Sequence, residues 1–244
     1  MRYIFKKELQ SFFFSPLIYV LSAIFLFIFA QTFINVITTT DSSINEFTYA
    51  YHILYQNMFY FIFLIPALTM KTFAEERRGG TEVLLLSSPI SLFSVVVGKF
   101  LAVAVAFLFM TALSLIFPVI IASNGVIVWS GLICGYIGFI AWGLCLIAVG
   151  MLMSSFTENQ VIAVVLGEAC MLGLYLVDVF KENALISNIT PLYNLLNAIS
   201  AQERFFNFAL GWFSLSDLVF YITFMCAALG FTIISIDQRR RCRG

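Results

Sequence analysis

Long unbroken runs of apolar residues, parted by short polar breaks, dominate the pattern of this chain. Six runs approach the about 20 residues that a helix needs to cross a bilayer. They span residues 17–37, 53–70, 94–122, 131–155, 161–180 and 217–236. They are continuous rather than alternating, and backbone groups in lipid must pair within their own segment, so each run predicts a helix. The predicted fold class is all-α: a polytopic membrane protein with six transmembrane helices, forming one domain over residues 1–244. The third run is over-long, which predicts tilt or a start in the interface. Pro118 lies in its last turns and predicts a kink or its end.

Three segments between the runs have mixed patterns. In RYIFKKELQSFFF, residues 2–14, Phe5, Leu9, Phe12 and Phe13 share one helical face, and Lys6, Lys7 and Gln10 another. This predicts an N-terminal interfacial helix, ended by Ser15-Pro16. Residues 181–216 hold two short apolar pieces, NITPLYNLLNAIS and RFFNFALGWF, which predict interfacial or re-entrant helices over 185–213 on the outer face. The third segment contains AEERRGGTEVLLLSSPIS, residues 74–91, with Glu75, Glu76, Arg77, Arg78 and Glu82 inside eight positions. Gly79-Gly80 predicts a sharp reversal. After it a short helix is expected, with Thr81 as N-cap, Glu82 in the first turn and Pro89 as its end. A helix of about two turns is marginal alone in water. Val83, Leu84, Leu85 and Leu86 therefore call for a receiving surface, either lipid headgroups or a groove on a partner protein.

Composition narrows the class. Of the 244 residues, 61% are hydrophobic and 28 are Phe, with a mean hydropathy of +1.00, which excludes an ordinary soluble domain. Only 11% are charged, so five charges at 75–82 are a concentration that asks for a cause. The zero net charge conceals an asymmetry. With six spans, Arg2, Lys6, Lys7, Lys71, Arg77, Arg78, Lys99, Arg239, Arg240, Arg241 and Arg243 fall on one side, 11 of the 13 basic residues. Lys181 and Arg204 fall on the other. Positive residues mark the cytoplasmic face, so both termini and residues 74–91 are expected there, in a cell (plasma) membrane. The first run is long enough to span and lacks a small-x-small cleavage site, so no cleavable signal peptide is expected. The five cysteines form no CxxC pair and four lie in apolar runs, which argues against disulfides and a metal site. Nothing in the charge pattern points to nucleic acid.

Candidate chemistry is sparse. Glu168 lies in mid-run five, where a charged side chain costs about 2.5–3.5 kcal/mol on insertion scales. It could line a substrate path, carry a proton, or stay protonated and bond to a neighbouring helix; the structural role is narrowly favoured. His52, the single histidine, reads as an interfacial aromatic rather than a ligand. Gly131, Gly135, Gly138 and Gly143, with Ala141 and Ala148, make run four fit for close helix contact, either within one subunit or between two. A membrane-embedded enzyme would need paired acids or a Ser/His dyad inside the spans, and only Glu168 lies deep inside a run, with no second acid opposite it and the one His at a span edge. An ATP-independent channel or scaffold leaves residues 74–91 unexplained.

Two stretches carry a family resemblance. IPALTMKTFAEERRGGTEVLLLSSPISLFSVVVGKFLA, residues 65–102, and IAVGMLMSSFTENQVIAVVL, residues 147–166, resemble ABC-2 type permeases, with the gliding-motility permease subfamily as nearest likeness. One departure is visible: the family usually reads Gly-Thr-x-Glu, whereas here Glu82 follows Thr81 directly and Val83 takes the acidic place. That is a step of about 100° around a helix. The resemblance implies the membrane subunit of a bacterial inner-membrane exporter, with no catalytic residue and no cofactor of its own. It implies that residues 72–90 form a coupling helix seated in a groove of a cytoplasmic ABC ATPase. Two such ATPases, carrying ATP and Mg, would serve two permease subunits, identical or paralogous. On that reading Glu75, Glu76, Arg77 and Arg78 steer docking, Gly80, Thr81 and Glu82 start the helix, Val83, Leu84, Leu85 and Leu86 are the buried anchors, and Pro89 ends it. The chain itself has no GxxxxGK[ST] phosphate loop; Gly98-Lys99-Phe100 is a superficial echo.

Overall fold

The computed structural model describes residues 2–39, 49–81, 91–124, 129–181, 200 and 204–243. All regular structure among them is helical. In chain order the helices are α1 (Arg2–Phe14), α2 (Pro16–Thr39), a π-helical turn (Tyr49–Tyr55), α3 (Gln56–Met58), α4 (Phe61–Thr69) and α5 (Lys71–Arg78). There follow α6 (Leu92–Ser114), α7 (Ile116–Asn124), α8 (Trp129–Phe156), α9 (Gln160–Lys181), α10 (Phe205–Ala209) and α11 (Leu215–Arg243). Five spans are long and apolar enough to cross a bilayer: α2, α6 with α7, α8, α9 and α11. A sixth is counted if the bent pair His52–Met58 and Phe61–Arg78 is one span.

The second span is therefore not the single straight helix that its hydropathy predicts. It bends by 54° at Phe59–Tyr60. Gln56 and Asn57 interrupt its apolar run. Asn57 is buried, where its side-chain amide donates to Ile53 O at 2.7 Å and its carbonyl accepts from Thr32 Oγ1 at 3.2 Å. Pro66 lies inside α4 and lacks the amide that would bond the preceding turn.

The third span also breaks, at Leu115, just before Pro118 rather than at it. Pro118 has no N–H for the carbonyl of Ser114, four residues back. The phenol of Tyr136 donates to that carbonyl instead, at 3.3 Å, and lies 3.2 Å from Ser114 Oγ and 2.9 Å from the Tyr49 hydroxyl.

Helix α8 is the centre of the fold. It touches α4, α5, α6, α9, α10, α11 and the π-helical turn. Its small residues explain why. A Cβ added at Gly138 would lie 2.7 Å from Phe208, at Gly143 2.2 Å from Phe107, and at Gly150 2.3 Å from Thr69. Each glycine is a socket for a side chain of the same chain, so this stripe serves packing within the subunit. The aromatic core fills the same layer: Phe139 lies 5.9 Å from Phe29 and 4.7 Å from Phe61 between ring centres.

The apolar face of α1 is taken up largely by protein. Phe12 is buried, Phe5, Leu9 and Phe13 are partly buried, and the helix packs on α6 with Phe13 edge-on to Phe109 at 5.4 Å. Of the outer-face region 185–213, only Ser200 and residues from 204 onward are described, and helix there is confined to α10.

Candidate functional site

Helix α5 carries the charged sequence that the chain concentrates, and three neighbours fix it. The first is Lys99, eight residues into α6 and 1% exposed. An ammonium withdrawn from water needs its charge balanced and its three donors met. Both needs are satisfied: Glu8 Oε1 of α1 and Glu76 Oε1 of α5 each lie 2.9 Å from Nζ, and the carbonyl of Thr72 lies at 2.8 Å. The Phe73 ring centre is 5.4 Å away, within cation–π range. Lys99 thus ties three elements at one buried point.

The second neighbour is Ser154, near the end of α8. Its Oγ accepts from the amides of Phe73 and Ala74, both at 3.3 Å, and donates to Met70 O at 3.1 Å. Those groups belong to the junction of α4 and α5, where the regular ladder is broken. The third is Glu158, in the link between α8 and α9, which pairs with Arg77 at 3.1 Å.

Helix α5 ends at Gly79-Gly80. The amides of Gly79 and Gly80 donate to Glu75 O at 2.9 Å and Arg77 O at 3.2 Å. Gly80 has φ +68°, the left-handed conformation that a residue without Cβ adopts freely. The helix thus ends at the glycine pair where a reversal is expected, and the segment that the reversal would lead into lies outside the described residues. Thr81 follows, its hydroxyl donating to Glu76 O at 3.2 Å.

The residues expected to steer docking thus separate into two groups. Glu75 and Arg78 are exposed on α5, whereas Glu76 and Arg77 turn inward to Lys99 and Glu158. Glu82, Val83, Leu84, Leu85, Leu86 and Pro89 lie outside the described residues.

Sequence reasoning missed Lys99, Glu8, Ser154 and Glu158 as parts of this site. A signal existed for the first. A lone lysine inside an apolar helix must find a partner, and Glu8 and Glu76 were among the six acids on its predicted side of the membrane, with Glu75, Glu82, Glu158 and Asp237.

Elsewhere, Glu168 sits half-buried on α9, and no described side chain pairs with it, so the bond to a neighbouring helix favoured from sequence is not made among the described residues. A recess of about 280 Å³ opens between α2 and the bend of the second span. It is lined by Phe27, Ile28, Gln31, Thr32, Asn35, Gln56, Phe59 and Tyr60. Amides and hydroxyls thus meet aromatic rings within segments otherwise suited to lipid. On the opposite end, Asp217 in the first turn of α11 accepts from Arg204 at 3.1 Å and Asn207 at 2.7 Å, with the guanidinium 4.0 Å from the Phe220 ring centre. No cluster of His, Cys, Asp and Glu fit to hold a metal occurs among the described residues.

A multi-span helical bundle with a charged helix pinned at the end of its second span is the architecture of a polytopic membrane protein. The comparison with known families agrees: the family described as ABC-2 family transporter protein matches residues 2–236, nearly the whole chain, and the chain belongs to it. No curated protein matches it. The protein is a multi-pass permease subunit of an ABC transporter, of a family that works with ABC ATPase partners.

Proposed function

We propose that this permease couples ATP hydrolysis on a separate ATPase subunit to the outward movement of its substrate, through residues 72–90. Two ATPases, holding ATP and Mg, act on two permease subunits, identical or paralogous, with both termini of this chain in the cytoplasm. The observation that carries the reading is the mounting of α5. A helix held at Lys99, Ser154 and Glu158 cannot move without moving the body of the bundle, and it ends at Gly80, three residues before the apolar run Val83–Leu86 in sequence. Apolar anchors on such a rigid base suit a groove of a partner. Glu75 and Arg78 remain available for steering, while Glu76 and Arg77 contribute stiffness. The recess beside Gln31 and Gln56 offers a substrate polar contact within the bilayer.

The test is recruitment. Changing Leu84, Leu85 and Leu86 together to Asp should abolish co-purification of the ABC ATPase that the parent chain retains from its own cells, with membrane insertion unchanged. Undiminished recruitment by an inserted variant would remove the docking role.

A further inference from the structure

Helix α1 has one acid, Glu8, and it is turned inward to Lys99. The exposed face therefore carries positive charge alone, from Arg2, Lys6 and Lys7. Two large aromatics flank these cations: Tyr3 is 85% exposed and Phe14 87%. Cations interleaved with outward aromatics suit the headgroup layer. One residue, Ser15, separates this helix from the first span, so the headgroup plane is within its reach.

The inner side of the same helix is wired to α5. Glu8 and Glu76 share the single ammonium of Lys99, whose third donor is taken by Thr72 O. A displacement of α1 by an ångström or so breaks a 2.9 Å contact and leaves a buried carboxylate or donor unmet. The relation is mutual, so α1 and α5 hold one joint position.

We propose that α1 binds anionic lipid headgroups through Arg2, Lys6 and Lys7, and that Glu8, Lys99 and Glu76 relay this contact to α5, so that membrane surface charge regulates the coupling segment. The regulatory consequence rests on the ATPase-coupling reading above; the lipid contact and its relay to α5 stand without it.

The experiment places the full chain in nanodiscs of phosphatidylcholine, with increasing phosphatidylglycerol, and follows amide hydrogen exchange in residues 2–14 and 71–81. Phosphatidylglycerol is expected to slow exchange in both segments. Lys6→Gln with Lys7→Gln should weaken the lipid response about fivefold per residue, as expected for basic groups near an anionic surface. The neutral triple variant Lys99→Met, Glu8→Gln, Glu76→Gln leaves no buried charge unmet. It should keep the lipid response in 2–14 and lose it in 71–81. Identical exchange of 71–81 in neutral and anionic discs overturns the proposal, as does a triple variant that relays like the parent chain. ATPase recruitment is measured on the same discs. A lipid response in 71–81 without recruitment leaves the relay standing and removes the coupling reading; recruitment without a lipid response removes the relay alone.

Discussion

Helices α8 and α9 are neighbours joined by a three-residue link, and their apolar windows have similar mean hydropathies of 2.3 and 2.0. Yet 72% of the α8 window is buried within the chain and only 17% of the α9 window. Hydropathy selects which segments enter a membrane; it does not select which of them goes to the middle. What separates the pair is the width of the helix. Gly138, Gly143 and Gly150 let Phe208, Phe107 and Thr69 sit against the α8 backbone. In a bilayer, where apolar contact alone drives little association, such close approach is a main source of helix affinity. Helix α9 uses Gly167 against Pro66, but nothing lies within 4 Å of a Cβ added at Gly173. Its outer side, with Val161, Val165 and Leu172, is left to lipid or to another subunit.

This contrast is easiest to break at Gly143. Leu at this site must displace the buried ring of Phe107, and we expect a loss of about 3 kcal/mol, at the upper end for overpacking. Thermal unfolding in detergent should show a large fall in midpoint, partly restored by adding Phe107→Ala. Next comes Ser154→Ala, which strips two amides and a carbonyl of their partner at the foot of α8. A cost of about 2 kcal/mol is expected from leaving buried groups unmet, together with faster hydrogen exchange at Phe73 and Ala74. The smallest effect sharpens the comparison from the other side. Gly173→Ala on α9 should leave the unfolding midpoint unchanged or raise it, within about 1 kcal/mol, because helix propensity is then the only term. A large loss there would mean that α9 is packed against a second chain.

Much of the fold is legible in the residues. The apolar runs mark the helices, and the stretch 65–102 carries the family resemblance. The end of α5 at Gly79-Gly80 follows from the glycines themselves. The broken second span is half legible, since Gln56, Asn57 and Pro66 all interrupt its run. The clamp is not legible by periodicity. Glu8 and Lys99 stand 91 residues apart, and nothing along one helix says which carboxylate reaches across to it. The same holds for Ser154, whose hydroxyl looks like any other in a span until the break at Met70 is placed beside it. Charge counting placed Lys99, Glu76 and Arg77 on one side of the membrane but did not reveal that Lys99 pairs with Glu76 and Arg77 with Glu158, because a count of charges cannot distinguish a solvated residue from a paired one. Val83 to Leu86, the expected anchors, lie outside the described residues.

The substitution of a phenol for a missing amide at Ser114 has a mechanical corollary. Helices α6 and α7 of the third span meet at a joint that one hydroxyl bridges where the regular ladder lacks a rung. On the coupling reading proposed above, a force entering through Lys99 would pass along α6 to this break, and the Tyr136 hydroxyl would be the bond that holds α7 in line with it.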